Sequence, residues 1–552
     1  MPQRRFSAPS KSLLSCFSYA VGHGKEGVCL LVRLGPYRIL LDCGLPDIAD
    51  LQTDGTSPAD VVICSHAHGD HVRGLYALHQ TFPTLPIYAS EVTAQLLPLH
   101  WPDRQINADF CQPLPWRSSL PLFENLSLEL IPAGHLPGAS LILLTYQLPN
   151  RTYKVLYTGD FSLSNLQLVE GLSLENLRGL APDVLILESS YGTRRHPHRR
   201  QQEKRLMEQI NEALQRGRNV LLPVPPLGLG QEILKLLRSH HQFTGQDLDI
   251  WVGGSLQQAC DRYLELLPQF PLAVQNFAKH QPLFWDERVC PRLRPLTFKQ
   301  EQTATDKPYI VLTDQWETFW QSEDWQRGVW TVLLPEFPTE ESLPDFNNLA
   351  AQPSPRVAIE TYLLAEHSDG RNTTQFIHNV RPQHIVFVHG SAPDIVDLTA
   401  LEELQNRYQL HSPSAGVLVD LPIGDRFLQP PSPTPTVYEG EVNELDSSSG
   451  ELAPSITITL SDRLTEDPRW QTFANTGLIE GRWQGEELVL RGISQRELLK
   501  QHQESKRQED LDCCSNCRYY RHQRCWNTVS PLAGFRVTPE GYCPVYESWE
   551  SV

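Results

Sequence analysis

The segment from Val61 to His71, VVICSHAHGDH, constrains the fold and chemistry of this chain more than any other stretch. It opens with an apolar, β-branched run that is typical of a buried strand. The run ends in a polar loop that carries three imidazoles and one carboxylate within six residues, at His66, His68, Asp70 and His71. Histidine and carboxylate are the ligands that catalytic zinc favours, whereas thiolates are commoner in closed structural sites. The segment therefore predicts a metal-binding loop at the end of a core strand.

The spacing within this loop allows it to serve two adjacent metal ions. His66 and His68 can point the same way from an extended segment, because side chains two residues apart lie on one face. Asp70 and His71 follow Gly69, whose backbone freedom lets the chain turn toward a second point. The alternative is a solvated polar loop with chance histidines, and the clustering of ligand types disfavours it.

Other segments repeat the pattern of an apolar run followed by a polar residue. The run RILL precedes Asp42, AGHLPGA supplies His135, and VLYTGD ends at Asp160. With the H-x-H-x-D-H motif, these segments in this order resemble the signature of the metallo-β-lactamase fold hydrolases. The resemblance implies that Asp42 orients the histidine loop, and residues of this kind fix the tautomer and direction of metal ligands.

Later motifs resemble those of the β-CASP subfamily, whose members cut nucleic acid. They are DVLILESSYG with Glu188, VLLPVPPLGLGQE, LLAEHSD with His367, and IVFVHG with His389. In that subfamily a histidine at the position of His389 goes with members that cleave RNA, and an apolar residue goes with DNA-processing members. The resemblance covers residues 16–421 and is nearest to ribonuclease J and to the nuclease subunit of the pre-mRNA cleavage factor.

The resemblance also implies a site with two Zn²⁺ ions. It assigns His66, His68 and His135 to one zinc, Asp70, His71 and His389 to the other, and Asp160 as the bridge. The implied reaction is hydrolysis of RNA phosphodiester bonds by zinc-activated hydroxide, with Asp70 among the catalytic residues. Glu188 and His367 would form an acid–imidazole pair that protonates the departing 3′ oxygen, which leaves 5′-phosphate and 3′-hydroxyl ends.

Some positions depart from the subfamily pattern. Leu229 stands where the subfamily usually has an arginine, and Thr313-Asp314-Gln315 replaces a Ser-Pro-Gly-Met-like turn. These positions belong to the cap and the substrate cleft. They leave open the substrate preference and the choice between endo- and exonuclease activity. A DNA-processing nuclease, a small-molecule metallohydrolase and a non-catalytic RNA-processing scaffold are the alternative functions.

The chain of 552 residues is too long for a single core. The expected fold class is α/β, an αββα metallo-β-lactamase sandwich with an inserted α/β cap, a linker and a small C-terminal module. The predicted segments are the N-terminal metallo-β-lactamase part (1–190), the β-CASP cap (191–355), the C-terminal return to the hydrolase domain (356–427), a flexible linker (428–455), a small β-containing module (456–505) and a Cys-rich metal-binding tail (510–552). Within the cap, the 3.6-residue apolar period predicts an amphipathic helix over 199–216.

Five of the 12 cysteines lie near the C-terminus. Cys514, Cys517, Cys525 and Cys543 have the spacing of a four-thiolate site, in which Cys513 could replace Cys514. Such a set suits a third, structural Zn²⁺, and an iron–sulfur cluster uses the same ligands. Unligated thiols are the alternative. The other seven cysteines are scattered in apolar surroundings, as expected of reduced thiols in a cytoplasmic protein.

The composition of the chain bears on whether it can bind a membrane or RNA. The chain has no apolar run of the length that a membrane span requires, and we expect no membrane partner and no cleaved leader. The net charge of −18 is unusual for an RNA-binding protein, because phosphate contacts require lysine and arginine. A basic cleft on an acidic surface resolves this conflict, and RRHPHRR at 194–200 is a candidate patch. A solvated lead-in to a helix is the alternative for that run. The sequence identifies no protein partner and leaves homo-oligomerisation open.

Overall fold

The computed structural model describes residues 13–52, 55–106, 110–296, 307–336 and 356–424, and then only 440–444, 456–460, 479–484, 487–492, 517–521 and 524–527. The chain divides into two compact units, Met1–Pro430 and Pro431–Val552. In the first part of unit one the strands are β1 (Leu14–Val21), β2 (Val28–Leu34), β3 (Tyr37–Leu41), β4 (Val61–Ile63), β5 (Ile87–Ser90), β6 (Gln112–Leu114), β7 (Leu120–Phe123), β8 (Leu126–Pro132), β9 (Ser140–Leu148), β10 (Arg151–Tyr157) and β11 (Val184–Glu188). The helices there are α1 (Gly69–Val72), α2 (Leu75–Thr81) and α3 (Glu91–Leu96).

The middle of unit one alternates longer helices with strands. Its elements are α4 (Arg199–Gln215), β12 (Asn219–Pro223), α5 (Leu229–Ser239), β13 (Asp249–Gly253), α6 (Ser255–Glu265), α7 (Leu272–His280), β14 (Arg292–Pro295), β15 (Ile310–Thr313), α8 (Trp316–Trp320), α9 (Glu323–Arg327), β16 (Trp330–Pro335) and β17 (Val357–Tyr362). The last part has α10 (Gly370–Val380), β18 (His384–Val388), α11 (Ala392–Thr399), α12 (Glu402–Gln405), β19 (Gln409–His411) and β20 (Val417–Asp420). The helix predicted over 199–216 is α4, which buries Leu206, Met207 and Ile210.

Two seven-stranded sheets form the hydrolase part of this unit. Their strand orders are β20-β1-β2-β3-β4-β5-β6 and β19-β18-β11-β10-β9-β8-β7. A shared apolar core joins the two sheets, with Val32, Ile39 and Ile63 from the first and Leu144 and Ile186 from the second. Helices pack on the outer faces over separate apolar clusters. The layers therefore run helix, sheet, sheet, helix, and the αββα sandwich expected from the sequence is confirmed.

The inserted cap has its own six-stranded sheet, in the order β14-β13-β15-β12-β16-β17, and every pairing in it is parallel. The cap sheet ends at Tyr362, beyond the boundary predicted at 355. The physical reason is that Val357 and Ile359 pack on the apolar cluster around Trp330, so β17 pairs with β16 before the chain returns. The apolar core is continuous between the cap and the second hydrolase sheet.

The second unit is described only in short pieces. Strands β21 (Gly440–Glu444) and β22 (Ile456–Leu460) pair antiparallel, as do β23 (Ile479–Gln484) and β24 (Glu487–Gly492). Strand β21 lies inside the segment predicted as a flexible linker, because its backbone finds a partner in β22. A final pair, β25 (Tyr520–Arg521) and β26 (Arg524–Cys525), is also antiparallel. Within the described parts of the chain, every helix is too short or too polar to cross a membrane.

Candidate metal centre

The candidate ligands follow the carboxyl ends of strands. Strands β3 and β4 are parallel, as are β10, β11 and β18, so within each sheet these ends lie along one edge. Asp42 follows β3, the histidine loop follows β4, Asp160 lies beyond β10, and His389 follows β18. The central strands are apolar and fully buried, which fixes the positions from which these loops start. The sandwich thus delivers ligands from both sheets to one place.

The first group of donor atoms comes from His66, His68, His135 and Asp160. Nε2 of His66 lies 3.3 Å from Oδ2 of Asp160, and Nε2 of His135 lies 3.7 Å from the same oxygen. Nδ1 of His68 lies 3.1 Å from Nε2 of His135. All four residues are buried. Three separate loops therefore bring their donor atoms to one point.

The second group comes from Asp70, His71 and His389, and Asp160 adjoins it. Nε2 of His389 lies 3.2 Å from Oδ2 of Asp70 and its Nδ1 lies 3.5 Å from Oδ1 of Asp160. Nε2 of His71 lies 3.4 Å from Oδ2 of Asp160. Helix α1 carries Asp70 and His71, so one helical turn directs both into the site. Asp160 therefore stands between the two groups of donor atoms.

Several of these donor atoms are buried without a hydrogen bond. They are Nε2 of His66, Nε2 of His71, Oδ1 of Asp70 and both carboxylate oxygens of Asp160. A buried carboxylate without hydrogen bonds carries a large desolvation cost unless a cation compensates it. Imidazole and carboxylate are also the donor set that catalytic zinc favours. On both counts the residues fit a pair of divalent cations.

Asp42 makes four hydrogen bonds, three of them to the histidine loop and one to Tyr157 of β10. Its Oδ1 accepts from the Ser65 backbone N–H at 2.6 Å, and its Oδ2 faces Ser65 Oγ at 2.7 Å, Tyr157 Oη at 2.7 Å and His71 Nδ1 at 2.8 Å. The bond to Nδ1 leaves Nε2 of His71 as the nitrogen that faces the site. Asp42 adopts a φ of 57° and His389 a φ of 50°, a region that non-glycine residues seldom occupy. Strained residues of this kind cluster at functional sites.

Glu188 and His367 are paired beside the two groups. Nδ1 of His367 lies 3.3 Å from Oε1 of Glu188. Oε2 of Glu188 accepts from the backbone N–H of Ser190 at 2.9 Å and from its hydroxyl at 2.8 Å. His367 also lies close enough to Asp160 and His389 for the three to form a possible donor group of their own. The geometry therefore accommodates two roles for His367, proton donor or ligand.

The buried charges shift one another's pKa values in opposite directions. Burial, and next the charge of His71, lowers the pKa of His66 to about 4. Burial also disfavours the charged form of His71, but Asp160, Asp70 and Asp42 outweigh it and raise its pKa above the ordinary value. Burial favours the neutral form of Asp160, yet His389, His71 and His66 lower its pKa well below the usual range. The acids of the site are thus ionised, as metal ligands must be.

The site opens into a cavity of about 390 Å³ between the hydrolase part and the cap. Asp70, His367 and His389 line it from one side and Leu229 from the cap. A second cavity of about 380 Å³ continues past Arg194 and is lined by Arg195 and Arg205, among other residues. Part of the basic run at 194–200 therefore borders the cleft. Among these cations, Arg194 is paired with Asp394 at 3.0 Å.

The structure brings together every predicted residue of the hydrolase site: Asp42, His66, His68, Asp70, His71, His135, Asp160, Glu188, His367 and His389.

Sequence reasoning missed Glu366, which is buried and lines the cavity. Its position immediately before His367 was the available signal. Burial raises the pKa of Glu366 to about 7, and the positive charge of His68 is the largest opposing influence. Of the predicted tail ligands, Cys517 and Cys525 are buried, and Cys514 and Cys543 lie outside the described residues.

Comparison with known proteins identifies a matching domain profile and several relatives. The profile of the metallo-β-lactamase superfamily matches residues 24–206. An uncharacterized protein of Synechocystis sp. is 55% identical over 549 residues, which cover 98% of this chain and 99% of that one. A probable RNase of Methanocaldococcus jannaschii is 32% identical over 234 residues, 39% of this chain and 54% of that one. An RNase J-like protein of the same organism is 28% identical over 272 residues, 46% of this chain and 61% of that one.

The two relatives named as RNases are thus matched over little more than half of their own length. The matched superfamily segment contains the histidine loop, His135, Asp160 and Glu188. With the sandwich and the ligand geometry, these similarities confirm the resemblance drawn from the motifs: the chain contains a metallo-β-lactamase domain, and proteins named as RNases are among its relatives.

Proposed function

We propose that this chain is a zinc-dependent ribonuclease of the β-CASP type that hydrolyses RNA phosphodiester bonds and leaves 5′-phosphate and 3′-hydroxyl ends. The observation that carries the proposal is the position of Asp160 between two groups of histidine and carboxylate donors. Paired metal sites of this kind occur in phosphatases and nucleases, where both the attacking and the leaving oxygen need stabilisation. The relatives named as RNases support RNA as the substrate class.

In this proposal His66, His68 and His135 hold one zinc, Asp70, His71 and His389 hold the other, and Asp160 contacts both. Bound zinc would lower the pKa of a coordinated water to about 7 and offset the negative charge that develops on the phosphate. The chain's own contribution is to bury the donors, orient them through Asp42 and keep the acids ionised. Asp70 also belongs to the catalytic set, since it lines the cavity that would receive the scissile bond.

The Glu188–His367 pair supplies a proton donor for the departing 3′ oxygen. The Glu188 carboxylate at 3.3 Å accepts from Nδ1–H of His367 and would stabilise the doubly protonated imidazolium, whose Nε2–H is the proton available for donation. His367 lines the cavity, as a group that touches the substrate must. A positioned general acid contributes typically about 10²- to 10⁴-fold to rate.

RNA would enter between the cap and the hydrolase part. The two cavities share Tyr191 and Arg194 among their lining residues, and we infer that RNA follows one path along both. Arg195 and Arg205 on this path can contact phosphates, and Tyr191 offers an aromatic ring near the same route. This local basic path answers the objection raised by the net charge of −18.

Metal analysis and a nuclease assay on the full chain test the proposal together. The purified protein should hold two zinc ions in the hydrolase site and cleave a labelled single-stranded RNA faster than the matching DNA. The variant Asp70→Ala/His71→Ala should lose cleavage and retain its fold, because β4 and its packing do not depend on these side chains. Preferred cleavage of DNA would favour a DNA-processing nuclease, and zinc binding without cleavage of either would favour a non-catalytic RNA-processing scaffold.

Two further assignments belong to this proposal. The reduced, buried thiols Cys16, Cys29, Cys43 and Cys64 favour the cytoplasm as the compartment. The C-terminal cysteines form a structural site for a third zinc or an iron–sulfur cluster, which the burial of both Cys517 and Cys525 supports. A small-molecule metallohydrolase is disfavoured by the large cap, since such a substrate needs no extended path.

A further inference from the structure

Glu366 contacts the first donor group in two ways. Its backbone carbonyl accepts a hydrogen bond from Nδ1 of His135 at 3.0 Å, which leaves Nε2 of His135 to face the site. Its side chain is buried, and Oε1 has no hydrogen-bond partner. A buried carboxylate oxygen of this kind requires a donor, because its desolvation is otherwise uncompensated.

His68 is the candidate donor, although no hydrogen bond joins it to Oε1 of Glu366 in this structure. Nδ1 of His68 faces Nε2 of His135 at 3.1 Å, so the opposite ring nitrogen, Nε2, is directed away from the donor group. A Cβ atom added at Gly228 would lie 2.9 Å from Oε1 of Glu366 and 3.3 Å from Nε2 of His68. Oε1 of Glu366 and Nε2 of His68 therefore both lie beside the backbone of Gly228. Gly228, with a φ of 87°, has no side chain to separate them.

The cap holds Glu366 in this place. Arg199 of α4 donates through Nη1 to the carbonyl of Ala365 at 2.7 Å, and Gln202 of α4 accepts from the N–H of Ala365 at 2.8 Å. Arg199 is itself paired with Glu232 at 3.3 Å. Oε2 and Oε1 of Glu232 accept from the backbone N–H groups of Gln167 and Leu168 at 2.5 and 2.8 Å. Both hydrogen-bonding groups of the residue before Glu366 are thus fixed by one cap helix that is anchored to the hydrolase part.

We propose that Glu366 is a positioning residue for the first metal site, which orients His135 through its carbonyl and His68 through its carboxylate, and that α4 sets its position. The inference rests on the metal binding in the proposed function and is independent of the substrate. Ligating histidines commonly donate their second N–H to a carboxylate or carbonyl, and loss of that partner typically costs about 10- to 100-fold in metal affinity or activity. In this proposal Glu366 supplies a carbonyl partner for His135 and a carboxylate partner for His68.

The test is zinc affinity of the full chain, measured by competition with a chromophoric chelator. Glu366→Leu and Glu366→Ala remove the acceptor, and we expect either to weaken one of the two hydrolase-site zinc ions by about 10- to 100-fold. Glu366→Gln is the matched control, because its amide oxygen still accepts a hydrogen bond, and it should retain most of the affinity. Circular dichroism of the metal-free proteins checks the fold, and the alanine variant replaces the leucine variant if leucine does not fit.

The outcomes separate this inference from the proposed function. A wild-type protein that binds no zinc in the hydrolase site would overturn the proposed function itself. Two zinc ions in the wild type with unchanged affinity in the leucine and alanine variants would overturn the role of Glu366 alone. An equal loss in all three variants would also overturn it, because the acceptor atom would then not be what matters.

Discussion

Oδ2 of Asp42 lies 2.8 Å from Nδ1 of His71, and this contact joins the end of strand β3 to a candidate ligand on helix α1. The ring nitrogen that faces the metal site is thereby determined by a residue that does not itself enter the site. Tyr157 and Ser65 donate to the same carboxylate, so it is held rigidly. Asp42 is therefore a place where a small change should alter metal binding without altering the ligands.

We expect Asp42→Asn to weaken zinc binding by about 10- to 100-fold, because the variant removes the negative charge of Asp42 that orients the His71 ring. Asparagine tolerates the positive φ at this position, so the backbone should not change. Tyr157→Phe is the control, because it removes one donor to Asp42 and leaves the bond to His71 intact. Chelator competition measures both, and an asparagine variant with wild-type affinity would contradict the orienting role.

His367→Ala distinguishes the two roles that the geometry accommodates. As a proton donor, His367 should contribute about 10²- to 10⁴-fold to turnover, and its removal should leave two zinc ions in place. Glu188→Gln is the matched variant, since it weakens the partner of His367 without touching a ligand. Loss of one zinc from the alanine variant would instead make His367 a ligand together with Asp160 and His389.

The buried tail cysteines should account for a separate metal. Cys517→Ser and Cys525→Ser should each remove one zinc equivalent, or the iron of a cluster, and leave the two hydrolase-site zinc ions. Cys260→Ser is the control, because that thiol is buried in the cap, away from any donor group among the described residues. Elemental analysis of protein purified without air exposure decides between zinc and iron. Unchanged metal content in both tail variants would leave unligated thiols as the explanation.

We expect the contact between His384 and His411 to make the folded protein less stable in mild acid than at neutral pH. Nδ1 of His384 lies 3.0 Å from Nε2 of His411, and its Nε2 faces the Pro422 carbonyl at 2.9 Å. Burial, and next the charge of His384, lowers the pKa of His411 to about 4. In the unfolded chain its pKa is about 6.5. The unfolded state therefore binds the proton first, and the free energy of unfolding should fall as pH drops from about 6.5 toward 4.

Urea unfolding of the metal-free protein at several pH values measures this dependence. His411→Gln cannot titrate at that position and should show a shallower fall in unfolding midpoint across the same range. Histidines remote from this pair titrate equally in both proteins, so the difference between the two slopes reports the coupled titration of His384 and His411. Identical pH dependence of the unfolding midpoint in the two proteins would show that His411 does not cause the loss of stability in acid.

Much of the site could be predicted from sequence because its ligands follow strands. The runs before Asp42, the histidine loop and Asp160 are short and apolar, and a buried parallel strand has that pattern. Since parallel strands end along one edge, residues just beyond them meet in space whatever the details of packing. His135 and His389 lie far from the histidine loop in the sequence, and the resemblance to the family assigned each of them to a metal site.

Only the tertiary structure showed those features that depend on contacts between distant segments of the chain. Whether Glu366 faces solvent or the donor group is set by α4, whose Arg199 and Gln202 hold the preceding residue from a different part of the chain. The extent of the cap sheet likewise depended on the packing of β17 against the Trp330 cluster. The sequence alone indicated most of the candidate ligands, since strand ends are encoded locally. Their orienting partners, tautomers and shared cleft arise from packing between elements that no local pattern relates.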